Sequence, residues 1–363
     1  MRNSHKLLLS IFLSLLFIYL IVWKPHLIAV AVGDRSLIAG FFGDSRVNFA
    51  HILVILGDIK IWFLIACFAL NPLQILIRSH RWTVMIRPLG KLRVRDSISV
   101  QMIGYLTSTI LPLRMGEVVR GVLLGQRLKI ATSRSLASVL TERILDTLSV
   151  LVLISLVGVF FPLPHTVREA ALGLSIASPL ALALVLYFAL SRDPFSGWLG
   201  RLLAALPGRT GEVIHGFFRS FATGFVIPKG VSSYIIIVFE SVALWMVYAS
   251  QGYLMMLAFG FERDYPLIAA APFTAAFVIL IMNTLGLSLP SAPGGIGTFH
   301  AACIFGLSLF EVPMDQAAGY ALILHASAMV FYIGFGIPFM WREGIHLNEL
   351  SQASKLEKES PRN

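Results

Sequence analysis

Predominantly apolar runs occupy residues 7–23, 59–77, 135–161, 169–190, 231–259 and 316–341. A helix needs roughly 20 such residues to cross a bilayer core about 30 Å thick, so each run predicts a membrane-spanning helix. Two further apolar stretches, 97–126 and 267–310, are interrupted halfway. The first interruption reads Leu111-Pro-Leu-Arg-Met-Gly-Glu117 and the second Leu289-Pro-Ser-Ala-Pro-Gly-Gly295; both follow Leu-Pro, three residues, Gly, offset by 178 positions. Proline removes a backbone donor and glycine frees the chain, so each stretch predicts a helix, a break and a second helix.

Basic residues give these elements a direction. Residues 78–95 contain Arg78, Arg81, Arg87, Lys91, Arg93 and Arg95 with no acidic residue, which predicts a cytoplasmic loop. The stretch 97–126 is followed by Arg127, Lys129 and Arg134, so both of its ends are basic. It is therefore expected to enter from the inner side, turn and return as a re-entrant helical hairpin. The stretch 267–310 lies between Glu262-Arg263-Asp264 and the acidic pair Glu311 and Asp315, which fits a hairpin entering from the outer side. On this topology 22 of the 29 basic residues lie inside, 5 lie outside, and Lys60 and Arg143 fall within spans. Both termini are then cytoplasmic, and the expected location is the inner or plasma membrane.

The fold expected is an all-α polytopic membrane protein of about six full spans plus two re-entrant hairpins. The unit of span, hairpin and span occurs at 59–161 and again at 231–341 with the hairpins opening to opposite faces, an inverted repeat. Residues 1–58 supply a first span and an outer amphipathic connection. Arg2, Lys6 and Ala29-Val-Ala31 give that run the outline of a signal peptide, but its 17-residue apolar core and the intervening Lys24-Pro25-His26 favour an uncleaved span. Residues 162–230 supply a span and amphipathic helices that lie on the inner surface or pack on neighbouring protein. Residues 342–363 have the composition of a disordered cytoplasmic tail.

Composition supports the membrane reading: 57% of residues are hydrophobic, 13% are charged, and the mean hydropathy is +0.80. A soluble core could not bury that much apolar surface. The net charge of +10 would suit nucleic acid, but no nucleic-acid fold signature accompanies it, and basic cytoplasmic loops account for it. Such loops meet anionic lipid headgroups at about 1 kcal/mol per residue near the surface. Cys67 and Cys303 sit in apolar segments without a Cys-x-x-Cys or Cys/His cluster, so neither a metal site nor a disulfide framework is expected. No phosphate-loop pattern is present, and no cofactor is expected.

Charged residues inside the apolar stretches are the candidate chemistry. Arg114, Glu117 and Arg120 surround the first break, where a helix N-terminus also offers free N–H groups to an anion. Two readings stay open for them: contact with a headgroup phosphate, or mutual neutralisation of Glu117 and Arg120 with Arg114 reaching the inner interface. Glu142 and Asp146, four apart, share one face of the following span, with Arg143 between them. A charge at the bilayer centre costs about 2.5–3.5 kcal/mol on an insertion scale, so these need partners, most naturally basic residues of the first hairpin. A structural ion-pair network and direct coupling to substrate both remain open, and Glu240 poses the same choice. His300 and His325 read as isolated core histidines, with a proton relay as the alternative. Pro293, Gly294, Gly295 and Gly297 at the second break would give close packing or backbone contacts to substrate. Irregular backbone at membrane depth requires protein or a watery cavity around it, so two facing breaks imply an internal polar site.

Four segments taken in order resemble a known family: Arg78-Ser-His-Arg81-Trp82, then Leu111-Pro-Leu-Arg114-Met-Gly116-Glu117-Val-Val-Arg120, then Thr141-Glu142-Arg143-Ile-Leu-Asp146, then Pro293-Gly294-Gly295-Ile-Gly297. Together they are similar to the lysylphosphatidylglycerol synthase transmembrane family, also called flippase-like or UPF0104, over residues 59–341. The resemblance implies a membrane unit that moves lipid between leaflets. In the best-known members this unit is joined to a soluble domain that aminoacylates lipid. The chain ends soon after its last span, so the membrane unit alone is expected. The function implied is a flippase or transporter for an anionic or modified glycolipid, phospholipid or polyprenyl-linked lipid. The alternative is a membrane-embedded transferase, or a partner of a lipid-modifying enzyme.

Overall fold

A computed structural model describes residues 47–111, 115–160, 230–289 and 291–345, with isolated positions elsewhere between 12 and 180. Most of the predicted spans at 7–23 and 169–190, the amphipathic stretch after 190, most of the tail, and Arg114 lie outside the described residues.

The described residues are helical, with no β-strand among them. Among the described residues, nine helices carry the architecture: α1 (Phe49–Gly57), α2 (Ile61–Met85), α3 (Val94–Ile110), α4 (Gly116–Leu128), α5 (Thr132–Phe160), α6 (Val231–Phe259), α7 (Pro272–Ser288), α8 (Thr298–Ser308) and α9 (Met314–Arg342). Two short helices, Phe261–Asp264 and Pro266–Ala270, join α6 to α7. Among the described residues, α2, α6 and α9 are long and apolar enough to cross a membrane. The fourth long helix, α5, is of similar length but carries Glu142, Arg143 and Asp146 in its first half.

The second span does not end at residue 77 with a loop at 78; α2 continues to Met85, and Arg78, Arg81 and Trp82 are buried. The two guanidinium groups find carboxylate partners inside the bundle, so they impose no exit to water. The cytoplasmic loop predicted at 78–95 shrinks to the turn between α2 and α3.

α2 also tolerates a proline midway. Pro72 has no N–H to give the carbonyl of Phe68, and the neighbouring Asn71 side chain donates to that carbonyl at 3.0 Å instead. Asn71 Oδ1 in turn accepts from Gln74 at 2.7 Å and from Gln251 of α6 at 3.1 Å. The repair thus becomes an interhelical tie. α2 and α6 run antiparallel, joined at one end by Lys60 N–H to the Ala258 carbonyl at 3.0 Å and near the other by Arg81 to Ser241 Oγ at 2.9 Å.

Both interrupted stretches fold back on themselves. A β-carbon added to Gly104 of α3 would stand 2.4 Å from Arg120 Cγ of α4, and one on Gly116 would stand 1.9 Å from the Gly104 carbonyl oxygen. Only hydrogen at these positions lets the two backbones approach. In the second stretch, Gly286 of α7 faces Ala302 and Thr298 of α8, and Gly306 faces Met282 and Ile279. Within a bilayer there is no hydrophobic force between helices, and small residues that allow close backbone packing take its place. The second break holds a single 3₁₀ turn, Pro293–Gly295, in which Gly294 adopts φ 70°. That turn packs against the end of α3: a β-carbon on Gly294 would lie 3.5 Å from the Thr109 carbonyl oxygen. The second break therefore touches the first helix pair.

Candidate functional site

α2 turns one polar face into the bundle. Asn71, Gln74, Arg78 and Arg81 recur at spacings of three and four, the period that keeps side chains on one side of a helix. All of them are buried. Opposite stands α5, whose Glu142 and Asp146 lie one turn apart on one side, and between them α4 contributes Arg120.

The contacts form one connected ion cluster. Glu142 is fully buried and accepts from Arg78 Nε at 2.7 Å through Oε1, and from Arg120 Nη2 through Oε2. Asp146 accepts from Arg78 Nη2 and from Arg81 Nη2, the latter at 2.6 Å. Arg143 closes the cluster, 3.4 Å from Asp146 and 3.2 Å from Glu117. Aromatic faces cover the cations: Arg120 lies 4.6 Å from the Trp82 ring centre and Arg78 lies 5.9 Å from that of Tyr105. Tyr248 of α6 accepts from Arg78 Nη1 at 2.8 Å.

The polar face of α2 extends this cluster toward the middle of the bundle. Tyr105 of α3 stacks on Tyr332 of α9 with ring centres 4.5 Å apart and planes within 8°. Gln74 donates to the Tyr332 hydroxyl at 3.3 Å. Side chains of α2, α3, α6 and α9 thus form a polar ladder ending at the arginines.

Charge does not balance. Four arginines, Arg78, Arg81, Arg120 and Arg143, face three carboxylates, Glu117, Glu142 and Asp146, leaving an excess of one positive charge. Hydrogen bonding does not close either. Arg81 Nε, Arg120 Nε, Ser79 Oγ and the Gln101 amide are buried without a partner among the described residues. Such donors inside a membrane protein are costly unless something answers them.

The structure thus brings Glu117, Arg120, Glu142, Arg143 and Asp146 into one site. Glu117 pairs with Arg143 and not with Arg120, because Arg120 is drawn to Glu142. Arg114 lies outside the described residues. Pro293, Gly294, Gly295 and Gly297 sit apart from the ions, at the second break. There the Gly294 carbonyl accepts from His325 Nε2 at 2.9 Å, and His325 packs against Phe299 and His300 with ring centres 4.5 Å and 4.9 Å away. The two histidines are therefore neighbours, not isolated. Sequence reasoning missed Asn71 and Gln74 and assigned Arg78 and Arg81 to a loop. The missed signal was an Asn-Pro step followed by polar residues at helical spacing.

The family model for the lysylphosphatidylglycerol synthase TM region matches residues 8–336. Two UPF0104 membrane proteins of Methanothermobacter thermautotrophicus are similar. One is 26% identical over 298 residues, covering 78% of this chain and 82% of that protein. The other is 24% identical over 262 residues, covering 67% and 74%. The glycosyltransferase AglD of Haloferax volcanii is 23% identical over 338 residues, covering 84% of this chain and 53% of AglD. No solved structure matches the chain.

Proposed function

The chain belongs to the lysylphosphatidylglycerol synthase TM region family, and from that premise we propose that it is a lipid flippase or transporter that draws an anionic headgroup into the arginine cluster. The observation that carries this reading is the cluster's surplus positive charge together with its unpartnered donors on Arg81 and Arg120. A phosphate or phosphodiester supplies one negative charge and several acceptor oxygens, the complement of what the cluster lacks. Stability alone gives little reason to keep such a cluster. Replacing a buried ion network by well-packed apolar side chains is often neutral or stabilising. Intramembrane charges of this kind are by default functional.

On this reading the two helix–break–helix pairs are re-entrant hairpins of an inverted repeat, entering a plasma membrane from opposite faces with both termini cytoplasmic. The contact between Gly294 and the end of α3 supports facing breaks, the arrangement in which transporters place their substrate. Arg78, Arg81 and Arg120 bind the headgroup. Glu117, Glu142, Arg143 and Asp146 hold them in place, and the polar ladder of Gln74, Tyr105 and Tyr332 lines its approach. The lipid class is an anionic or modified glycolipid, phospholipid or polyprenyl-linked lipid.

Reconstituted vesicles carrying fluorescent phospholipids test this. Transfer of an anionic lipid between leaflets above the protein-free rate is expected, with a loss of at least tenfold in Arg81→Gln. Transfer no faster than in protein-free vesicles across several headgroups sinks the reading.

A second reading has one specific observation in its favour, the similarity to a protein named as a glycosyltransferase. In it the chain is a membrane-embedded transferase or a partner of a lipid- or glycan-modifying enzyme, with Glu117, Glu142 or Asp146 as base. Two or more cations hold Glu142 and Asp146, which suits charge storage better than proton abstraction. Mass spectrometry of lipids from a deletion strain separates the readings, since only the transferase changes lipid covalently.

A further inference from the structure

The guanidinium groups of the cluster are permanently charged, whereas the next side-chain pair along the same two helices joins a histidine to a carboxylate, two residue types that can each bind a proton. His80 of α2 bonds through Nδ1 to Glu240 Oε1 of α6, while Glu240 Oε2 is buried with no hydrogen-bond partner among the described residues. The two ends of the pair differ in access: the His80 side chain is 45% exposed and that of Glu240 is 15% exposed. His80 lies five residues before the end of α2, about 8 Å by helical rise. Its sequence neighbour Arg81 is bonded to Ser241, the neighbour of Glu240, at 2.9 Å, so pair and cluster share the same helix contact.

We propose that His80 and Glu240 form a proton-binding site that takes up one proton for each anionic headgroup entering the arginine cluster; this rests on the lipid-transport reading above. The argument is electroneutrality where isolated charge is expensive. With one proton between Nδ1 and Oε1, a neutral imidazole faces a carboxylate and the pair carries −1, so cluster and pair together are neutral while the arginine cluster itself keeps its local surplus for the headgroup. A monoanionic headgroup brings another negative charge. A second proton, taken from water at His80 Nε2 or at Glu240 Oε2, brings the pair to zero and restores the balance. Release of lipid reverses the step and returns that proton to water.

The surrounding charges do not take over this role. On α2 the neighbours are Arg78 and Arg81, and on α4 Arg120, all permanently cationic. On α5, Glu142 and Asp146 are each held by at least two arginines, and Arg143 is itself paired. On α6 the Tyr248 hydroxyl accepts from Arg78, and on α3 the Tyr105 ring lies against the same guanidinium.

The test is calorimetric titration of the detergent-solubilised full chain with short-chain phosphatidylglycerol, in two buffers of different ionisation enthalpy. About one proton should be taken up per lipid bound, and affinity should fall by up to about tenfold per pH unit on the alkaline side. Glu240→Gln should bind lipid with no proton uptake and with affinity independent of pH. His80→Gln, which keeps the carboxylate, should retain uptake but shift the pH at which affinity falls. Wild-type binding without proton uptake, or undiminished uptake in Glu240→Gln, overturns the proposal and leaves the lipid reading standing. No binding of lipid in either buffer overturns the lipid reading, and this one with it.

Discussion

In the first helix pair, α3 and α4 meet through Gly104 and Gly116, and α4 then sends Arg120 between the Glu142 carboxylate and the Trp82 ring. In the second, α7 and α8 meet through Gly286 and Gly306, and the break beyond them is held by His325 on a backbone carbonyl with no ion pair within the turn. The two pairs share a way of closing but differ in what stands at the closure. Glycine contacts need only the absence of a side chain, so they recur wherever two helices must approach. Ion pairing at membrane depth needs partners from other helices, and among the described residues α2 and α5 supply them at the first pair and not at the second. The geometry of a fold-back is thus separable from the chemistry placed on it, and substitutions can strike one without the other.

The largest effect should come from Glu142→Ala. It removes an anion that holds Arg78 and Arg120 and leaves both buried cations short of a partner. Breaking a buried pair from one side costs about 3–5 kcal/mol. A drop in thermal midpoint, followed by size-exclusion chromatography of heated samples, would measure it. Glu142→Gln keeps the shape and its acceptor oxygen and should lose less. Equal losses would mean that charge, not shape, holds the cluster.

The closures themselves should respond next, and in parallel. A methyl on Gly116 would meet the Gly104 carbonyl oxygen at 1.9 Å, and one on Gly286 would meet Ala302 Cβ at 2.5 Å and the Thr298 carbonyl at 2.8 Å. Overpacking of this kind typically costs about 1–3 kcal/mol, and Gly116→Ala belongs at the upper end because backbone cannot swing aside. Thermal unfolding of both variants compares the pairs directly. If Gly286→Ala is harmless, the second pair is held by something other than close backbone contact. A smaller loss, about 1 kcal/mol, is expected for His325→Ala in the same assay, since one hydrogen bond to the Gly294 carbonyl disappears.

The legible part of this molecule was its periodic part. Long apolar runs gave α5, α6 and α9 nearly to their ends, and Pro-Gly interruptions gave both fold-backs. Glu142 and Asp146 announced themselves, because two acids on one face of an apolar helix demand partners. Their partners were harder to find. Counting charge along the chain sends Arg78 and Arg81 to a cytoplasmic loop, because a single sequence carries no record of what lies across the bundle. Only the fold brings α5 within reach and makes it cheaper for α2 to continue than to stop. Asn71 and Gln74 were missed for a related reason. An amide in a membrane helix reads as a defect until its repair of Pro72 and its bonds to α6 are visible.

The smallest effect should lie at the rim of the first pair. Arg127 at the end of α4 reaches Asp96 at 3.2 Å and Glu343 at 2.5 Å, and Ser99 donates to the same Glu343 at 2.6 Å, so the pair is tied to the end of α9. Unlike Arg120, Arg127 and its partners are partly exposed. Exposed pairs contribute about 0–1 kcal/mol because water and salt compete for both ions. Arg127→Ala should therefore shift the thermal midpoint slightly, and added salt should erase the difference from wild type. Glu142→Ala should keep its deficit in the same salt, since ions do not reach a buried cluster. A salt-resistant loss in Arg127→Ala would place this rim contact among the buried interactions and remove the contrast between the two arginines of α4.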